Sequence, residues 1–124
     1  MDYEKSHALR QRLKQRKAAH LAALQREISR IAQAAVEMGA KKVVLFGSAS
    51  KGNAGIFSDL DFLIIMDSEI EFLKRTSEAY RHLKPEVGAD ILVYTPAELK
   101  MMLKNNNEFI RQALTEGQVL YEAE

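Results

Sequence analysis

Cysteine is absent from the 124 residues, which excludes disulfides, thiolate metal sites and cysteine nucleophiles together. No apolar run approaches the ~18 residues of a membrane span, and the chain reads without a secretory signal. A cytoplasmic protein without membrane contact is the expectation. Proline and glycine are both missing between Ser6 and Met38, so nothing there breaks a helix. The three histidines, His7, His20 and His82, have no ligand spacing to one another or to any acid, which leaves them as helix-surface residues. Internal repeats, linkers and low-complexity tracts are also lacking. A chain of this length buries roughly two thirds of its unfolded surface and needs no staple, so residues 1–124 are expected to form one domain.

Acidic residues are scarce at the start. Met1 to Met38 carries a net +4 and Lys41 to Glu124 a net −3, so the overall +1 conceals two halves of opposite sign. Arg10, Arg12, Lys14, Arg16 and Lys17 fall within eight residues that contain no acid. Such a patch can meet nucleic acid or an acidic protein surface; the plainer reading is a solvated helix face.

What is present divides cleanly into elements. Residues 6–38 predict one long helix with the stripe Leu21, Leu24, Ile28, Ile31, Ala35 and Met38 at alternating steps of three and four, stopped by Gly39. About 33 residues at 1.5 Å each span roughly 50 Å, whereas a compact chain of this length is about 35 Å across. The helix should therefore overhang, its first turns docking on a second copy or another protein. Residues 43–46 and about 60–66 read as strands covered on both faces. Ser68-x-x-Glu71 suggests a capping box opening a helix that buries Ile70, Leu73, Ser77, Tyr80 and Leu83. Pro85 and Gly88 mark a turn, and residues 89–94 a third strand. Thr95-Pro96-Ala97-Glu98 is a second capping box with proline at the first helical position, for a helix reaching Lys104. A last helix runs from about Glu108 to Glu116, stops at Gly117, and leaves Val119 to Tyr121 for a short terminal strand. Met101 and Met102 read as core filler, and Tyr80, Tyr94 and Tyr121 as packing residues with the hydroxyl at the rim.

The chemistry concentrates between residues 43 and 67. The first strand empties into Gly47-Ser48, and after ten residues comes Asp59-Leu60-Asp61. On a strand, residues two apart face the same way, so the two carboxylates project together with Cα atoms about 6.6 Å apart. Two charges at about 6 Å repel by roughly 3 kcal/mol at an effective dielectric of 20, so something positive should sit between them. Oxygen-only ligands suit a hard cation such as Mg²⁺, whose shell is completed by substrate phosphates. Asp90 can join if its strand lies beside the second, and three carboxylates suffice for two ions about 3.5–4 Å apart. Gly47 lets backbone N–H groups approach a phosphate, the Ser48 hydroxyl can donate to it, and Lys51 is a point charge for a triphosphate.

The joint order resembles the nucleotidyltransferases of the DNA polymerase β superfamily, nearest to the minimal nucleotidyltransferase (MNT) family of small stand-alone proteins. That order is Leu-Phe-Gly-Ser at residues 45–48, ten residues, Asp59-x-Asp61, a strand, a helix, and Asp90 in a third strand. The likeness covers about residues 25–121. It implies an α/β (α+β) nucleotidyltransferase fold, a small mixed sheet flanked by helices, with residues 41–124 as catalytic core behind the helix of residues 1–38. It further implies that Gly47 and Ser48 hold the triphosphate, that Asp59 and Asp61 ligate the metals, and that Asp90 orients or deprotonates the acceptor hydroxyl. Lys51 stands where members commonly have arginine, which keeps the charge and loses the fork. Ala49 and Phe57 are less polar than many members show there, implying modest nucleotide affinity.

By the same resemblance the reaction is transfer of a nucleoside monophosphate, AMP from ATP foremost, to a hydroxyl. Relatives of this size are often encoded beside an all-helical HEPN protein, as the antitoxin that adenylylates a toxin. Two other readings stand beside it: modification of a small molecule such as an aminoglycoside, for which little chain remains after the core, and a non-catalytic module that only binds its partner.

Overall fold

The computed structural model describes residues 3–51 and 59–124. Helix α1 is Tyr3–Met38, 36 residues or about 54 Å at 1.5 Å each, and it starts one turn earlier than expected. It buries Leu24, Ile28, Ile31 and Ala35, the middle of the predicted stripe. The ends of that stripe are less covered: Met38 is half-buried and Leu21 is exposed. Upstream, Leu9 and Leu13 are more than half exposed. Gly39, at φ +111°, turns the chain into β1 (Lys42–Phe46).

After β1 come a 3-10 turn at Ser48–Lys51, β2 (Leu60–Ile65), α2 (Phe72–Leu83), β3 (Ala89–Tyr94), α3 (Pro96–Lys104), α4 (Glu108–Glu116) and β4 (Gln118–Glu122). The sheet order is β3-β2-β1-β4. β1 is antiparallel to both neighbours, and β2 and β3 are parallel, joined by the α2 crossover. Helices α1 and α2 cover one face, over a core that includes Leu45, Phe62, Ile64, Ile91 and Val93. Helices α3 and α4 cover the other, over Val44, Phe46, Leu63 and Ile65. Burial on both faces is why β1 and β2 read as unbroken apolar runs rather than alternating ones. The fold class, a mixed sheet between helices behind a long first helix, is the one expected from the sequence.

The sheet has a functional end and a structural end. Glu27 of α1 accepts hydrogen bonds from Arg30 and, in a short contact of 2.5 Å, from the amide of Glu86. Arg30 in turn donates to the Leu83 and Lys84 carbonyls at the end of α2, which satisfies orphan helix-end acceptors. These contacts pin α1 beside the turn that leads into Ala89. α1 reaches the far end of the sheet at Gly39, near Met66, so everything before about Leu24 projects past the sheet end at which β1 finishes and β2 and β3 begin. At the opposite end, buried Arg75 donates to the carbonyls of Ile70 and Val93 and pairs with Glu98 at 2.6 Å. Glu98 also closes the Thr95 capping box.

Two local expectations are corrected. The Ser68 hydroxyl accepts from the Ile70 amide in a tight turn, and α2 begins only at Phe72, with Glu71 as N-cap making no side-chain cap. The buried face therefore runs through Arg75, Ala79 and Leu83, with Phe72 stacked on Tyr94. Leu73 is 72% exposed and Ile70 38%, because Arg75 seeks Glu98 and Phe72 seeks Tyr94, and those contacts set the helix phase. His7 and His82 are exposed as expected, but His20 is half-buried, with Nε2 buried and unpartnered among the described residues. It lies one turn before Leu24 on the core-facing side, where i and i+4 share a face. Met102 packs on the second core, whereas Met101 is 56% exposed. Among the described residues no helix is long and apolar enough to cross a membrane.

Candidate active site

At the functional end of the sheet, Phe46, Asp61 and Asp90 form one row. Phe46 pairs with Asp61 across the antiparallel ladder, and Asp61 pairs with Asp90 across the parallel one. Side chains directly opposite share a face, and on a strand Asp61 also shares its face with Leu63 and Ile65. The row thus looks toward the α3 and α4 layer. There it opens into a cavity of about 660 Å³, walled on one side by Phe109, Gln112 and Glu116 of α4 and on the other by Phe72, Thr76 and Tyr80 of α2.

Glycine is required at the mouth. Gly47 sits at φ +75°, and a Cβ there would overlap Oδ2 of Asp61. The 3-10 turn that follows is tied back by the Ser50 hydroxyl, which donates to the Gly47 carbonyl at 2.7 Å. Gly88 plays the same part for Asp59, since a Cβ there would overlap Asp59 Oδ1, and the Gly88 carbonyl accepts from the Leu60 amide at 3.0 Å. Both aspartates of the Asp-x-Asp pair are therefore packed directly on a glycine.

Of the residues singled out from the sequence, Gly47, Lys51, Asp61 and Asp90 line the cavity. Ser48 and Asp59 are exposed and lie outside its wall, which Ser50 lines. Ala49 packs on the first core. Phe57 falls outside the described residues. Lys51 pairs with Glu116 at 3.3 Å, and Glu116 also accepts from Gln112 at 3.1 Å. These hydrogen bonds, Gln112 first and then Lys51, hold the Glu116 carboxyl below its ordinary range.

The carboxylates are in mutual conflict. Burial pushes the Asp61 carboxyl up, and the charges of Asp90 and Asp59 and a hydrogen bond with Asp90 push it further. A hydrogen bond between two carboxyl groups needs a shared proton, and a cation at the same place would do the proton's work. Among the described residues no three acidic or imidazole side chains close around one point as a ready metal cage. The in-register Asp61–Asp90 pair, with exposed Asp59 outside the cavity wall, is instead an open, all-oxygen donor set. That donor set fits Mg²⁺, which takes one or two carboxylates and leaves the rest of its shell to phosphates and water.

Residues 23–124 match the family described as polymerase beta, nucleotidyltransferase. The chain belongs to that family. Over 81 residues this family member is 33% identical to a protein of Methanocaldococcus jannaschii named "Putative protein adenylyltransferase MJ0604", which covers 65% of this chain and 78% of that one. No solved structure matches the chain. The match agrees with the nucleotidyltransferase resemblance carried by residues 45–61. Sequence reasoning about this family member missed Tyr80, Gly88 and the α4 wall. Gly88 read as a turn and Tyr80 as packing. Phe109, Gln112 and Glu116 do lie at helical spacing, and only the placement of α4 over β1 turns that face into a cavity wall.

Proposed function

We propose that this protein transfers a nucleoside monophosphate, AMP from ATP foremost, to a hydroxyl group, and that Asp59, Asp61 and Asp90 form its Mg²⁺-dependent centre. The observation that carries the reading is the in-register Asp61–Asp90 pair on the wall of an open cavity with Gly47 and Lys51 at its mouth. The acceptor oxygen attacks the α-phosphorus, the bond to the β-phosphate oxygen breaks, and pyrophosphate leaves. Asp90 receives the acceptor's proton. Gly47 and the Ser48 to Lys51 turn face the triphosphate, and the Lys51 ammonium offsets its charge. One or two Mg²⁺ ions, when bound by these aspartates, supply charge neutralisation and alignment of the attacking and leaving oxygens. The rest is positioning, and no covalent intermediate is needed.

The acceptor belongs to another macromolecule. The cavity opens between the core's own helices, α4 on one side and α2 on the other. The exposed first half of α1 projects past this same sheet end with Arg10, Arg12, Lys14, Arg16 and Lys17. A cytoplasmic HEPN-type helical protein, modified by its antitoxin, is the partner that the family resemblance suggests, and the name of the Methanocaldococcus relative points the same way toward a protein acceptor. Incubating the protein with Mg²⁺, α-labelled ATP and the product of the adjacent gene tests the reading. Label in that product with wild type, and none with Asp61→Asn, supports transfer. Tight complex formation without label from any triphosphate would replace it with the non-catalytic binding module.

A further inference from the structure

Among the described residues β3 is an edge strand, and its outward backbone groups have no neighbouring strand to meet. At Asp90 they meet a side chain instead. The Tyr80 hydroxyl donates to the Ala89 carbonyl at 3.0 Å and accepts from the Ile91 amide at 2.9 Å. One oxygen from α2 therefore brackets Asp90 on both sides along the chain. Asp90's own backbone groups, alternating with these, face β2, where Asp90 stands in register with Asp61. The Tyr80 ring is half-buried against the first core and borders the cavity.

We infer that Tyr80 is a positioning residue for the metal centre: by completing the edge of β3 on either side of Asp90, its hydroxyl holds that carboxylate at the distance from Asp61 at which the two share a divalent cation. The inference rests on the metal-dependent reading above. Without this clamp, two like charges in register on the outermost strand pair would relax apart by moving the start of the edge strand outward, because the other side-chain contact to that edge, Arg75 at the Val93 carbonyl, lies three residues further along. The clamp acts on backbone, so it sets the carboxylate's position without touching cation or nucleotide. Thr76 also faces the cavity from α2, but its hydroxyl is spent on the Phe72 carbonyl within its own helix.

The test is Mn²⁺ binding, followed by electron paramagnetic resonance of the free ion, for wild type, Asp61→Asn and Tyr80→Phe. Thermal unfolding and amide exchange at Ile91 are measured on each. Removing an outer-shell partner of this kind should weaken Mn²⁺ affinity by roughly ten-fold or more and speed exchange at Ile91, with cooperative unfolding retained. A Tyr80→Phe protein that is less stable but binds Mn²⁺ within two-fold of wild type overturns the inference and leaves Tyr80 a packing residue. If wild type takes up no more Mn²⁺ than Asp61→Asn, the metal-dependent reading itself fails and this inference falls with it. Should Tyr80→Phe not fold, the wild type decides: titrating Mg²⁺ should slow exchange at the Ile91 amide more than at the Val93 amide, which has no tyrosine partner, and equal slowing at both overturns the inference.

Discussion

Asp61 and Asp90 stand directly opposite each other on parallel neighbouring strands, and the charge of Asp90 helps to push the Asp61 carboxyl up. Asp61 is half-buried and Asp90 exposed, so two acids meet at the open end of a sheet face whose next residues, Leu63 and Leu92, are aliphatic. The arrangement opposes folding at neutral pH and is useful only if a cation or a proton is drawn into it.

Asp61→Asn should therefore stabilise the metal-free protein while removing its function. The raised Asp61 carboxyl means that the folded state prefers the protonated form. The penalty grows as pH rises through the ordinary value of 3.8 and is complete above the raised one. An amide is neutral throughout and can donate to Asp90. Melting at pH 7 should rise by about 2–5 °C, and nucleotidyl transfer should fall to background. A melting point lower than wild type would show that the pair is not strained.

Alanine at the two glycines should separate fold from site. Gly47→Ala places a side chain at positive φ and against Asp61, and should cost about 1–2 kcal/mol in urea unfolding as well as activity. Gly88 has no positive φ, and the carboxylate it would meet is exposed Asp59, which can swing aside. Gly88→Ala should leave the unfolding midpoint within about 0.5 kcal/mol of wild type while lowering turnover.

On the proposed reading, the Lys51–Glu116 pair competes with the nucleotide for the lysine's charge. Glu116→Gln keeps the shape, removes the competing charge and should lower the KM for ATP by about two- to three-fold, since an exposed pair is worth at most about 1 kcal/mol. Lys51→Ala should raise that KM instead. If both variants shift KM in the same direction, Lys51 does not face the triphosphate.

Acid should unlock both ends of the sheet. Hydrogen bonds from Arg30 hold Glu27 below its ordinary 4.5, with burial opposing and the Glu86 amide assisting. At Glu98, burial pushes up, and the Arg75 and Thr95 hydrogen bonds outweigh it. Carboxylates depressed on folding contribute stability above the unfolded value that is lost as pH falls through the folded one. Stability should thus decline below about pH 4.5, and Glu27→Gln should flatten that decline. Arg75→Ala, which leaves half-buried Glu98 without its arginine and empties the Ile70 and Val93 carbonyls, should cost about 2 kcal/mol at neutral pH, measured by urea unfolding.

Much of the fold was legible because its signals are local. Thr95-Pro96 with Glu98, and Gly117 after α4, act through hydrogen bonds three or four residues apart, and the start of α3 and the end of α4 fall where those residues place them. The Ser68-x-x-Glu71 pattern offered the same signal and failed. The helix start there was decided by Arg75 reaching Glu98, 23 residues away, and by Phe72 stacking on Tyr94.

For the site, the sequence alone determined the parts carried by one local run: Gly47 at the end of β1 and Asp61 at the start of β2, whereas Asp59, expected on the same strand face, precedes the strand and lies outside the cavity wall. It also determined that the first helix is too long for the body it belongs to, since rise per residue is a local constant. Only the tertiary structure decided that Asp90 lies level with Asp61, that α4 walls the cavity, that Lys51 meets Glu116, and that Tyr80 closes the strand edge around Asp90. Those relations depend on strand order, register and crossover. They are settled by which apolar faces pack together across the whole chain, and no spacing within a segment encodes them.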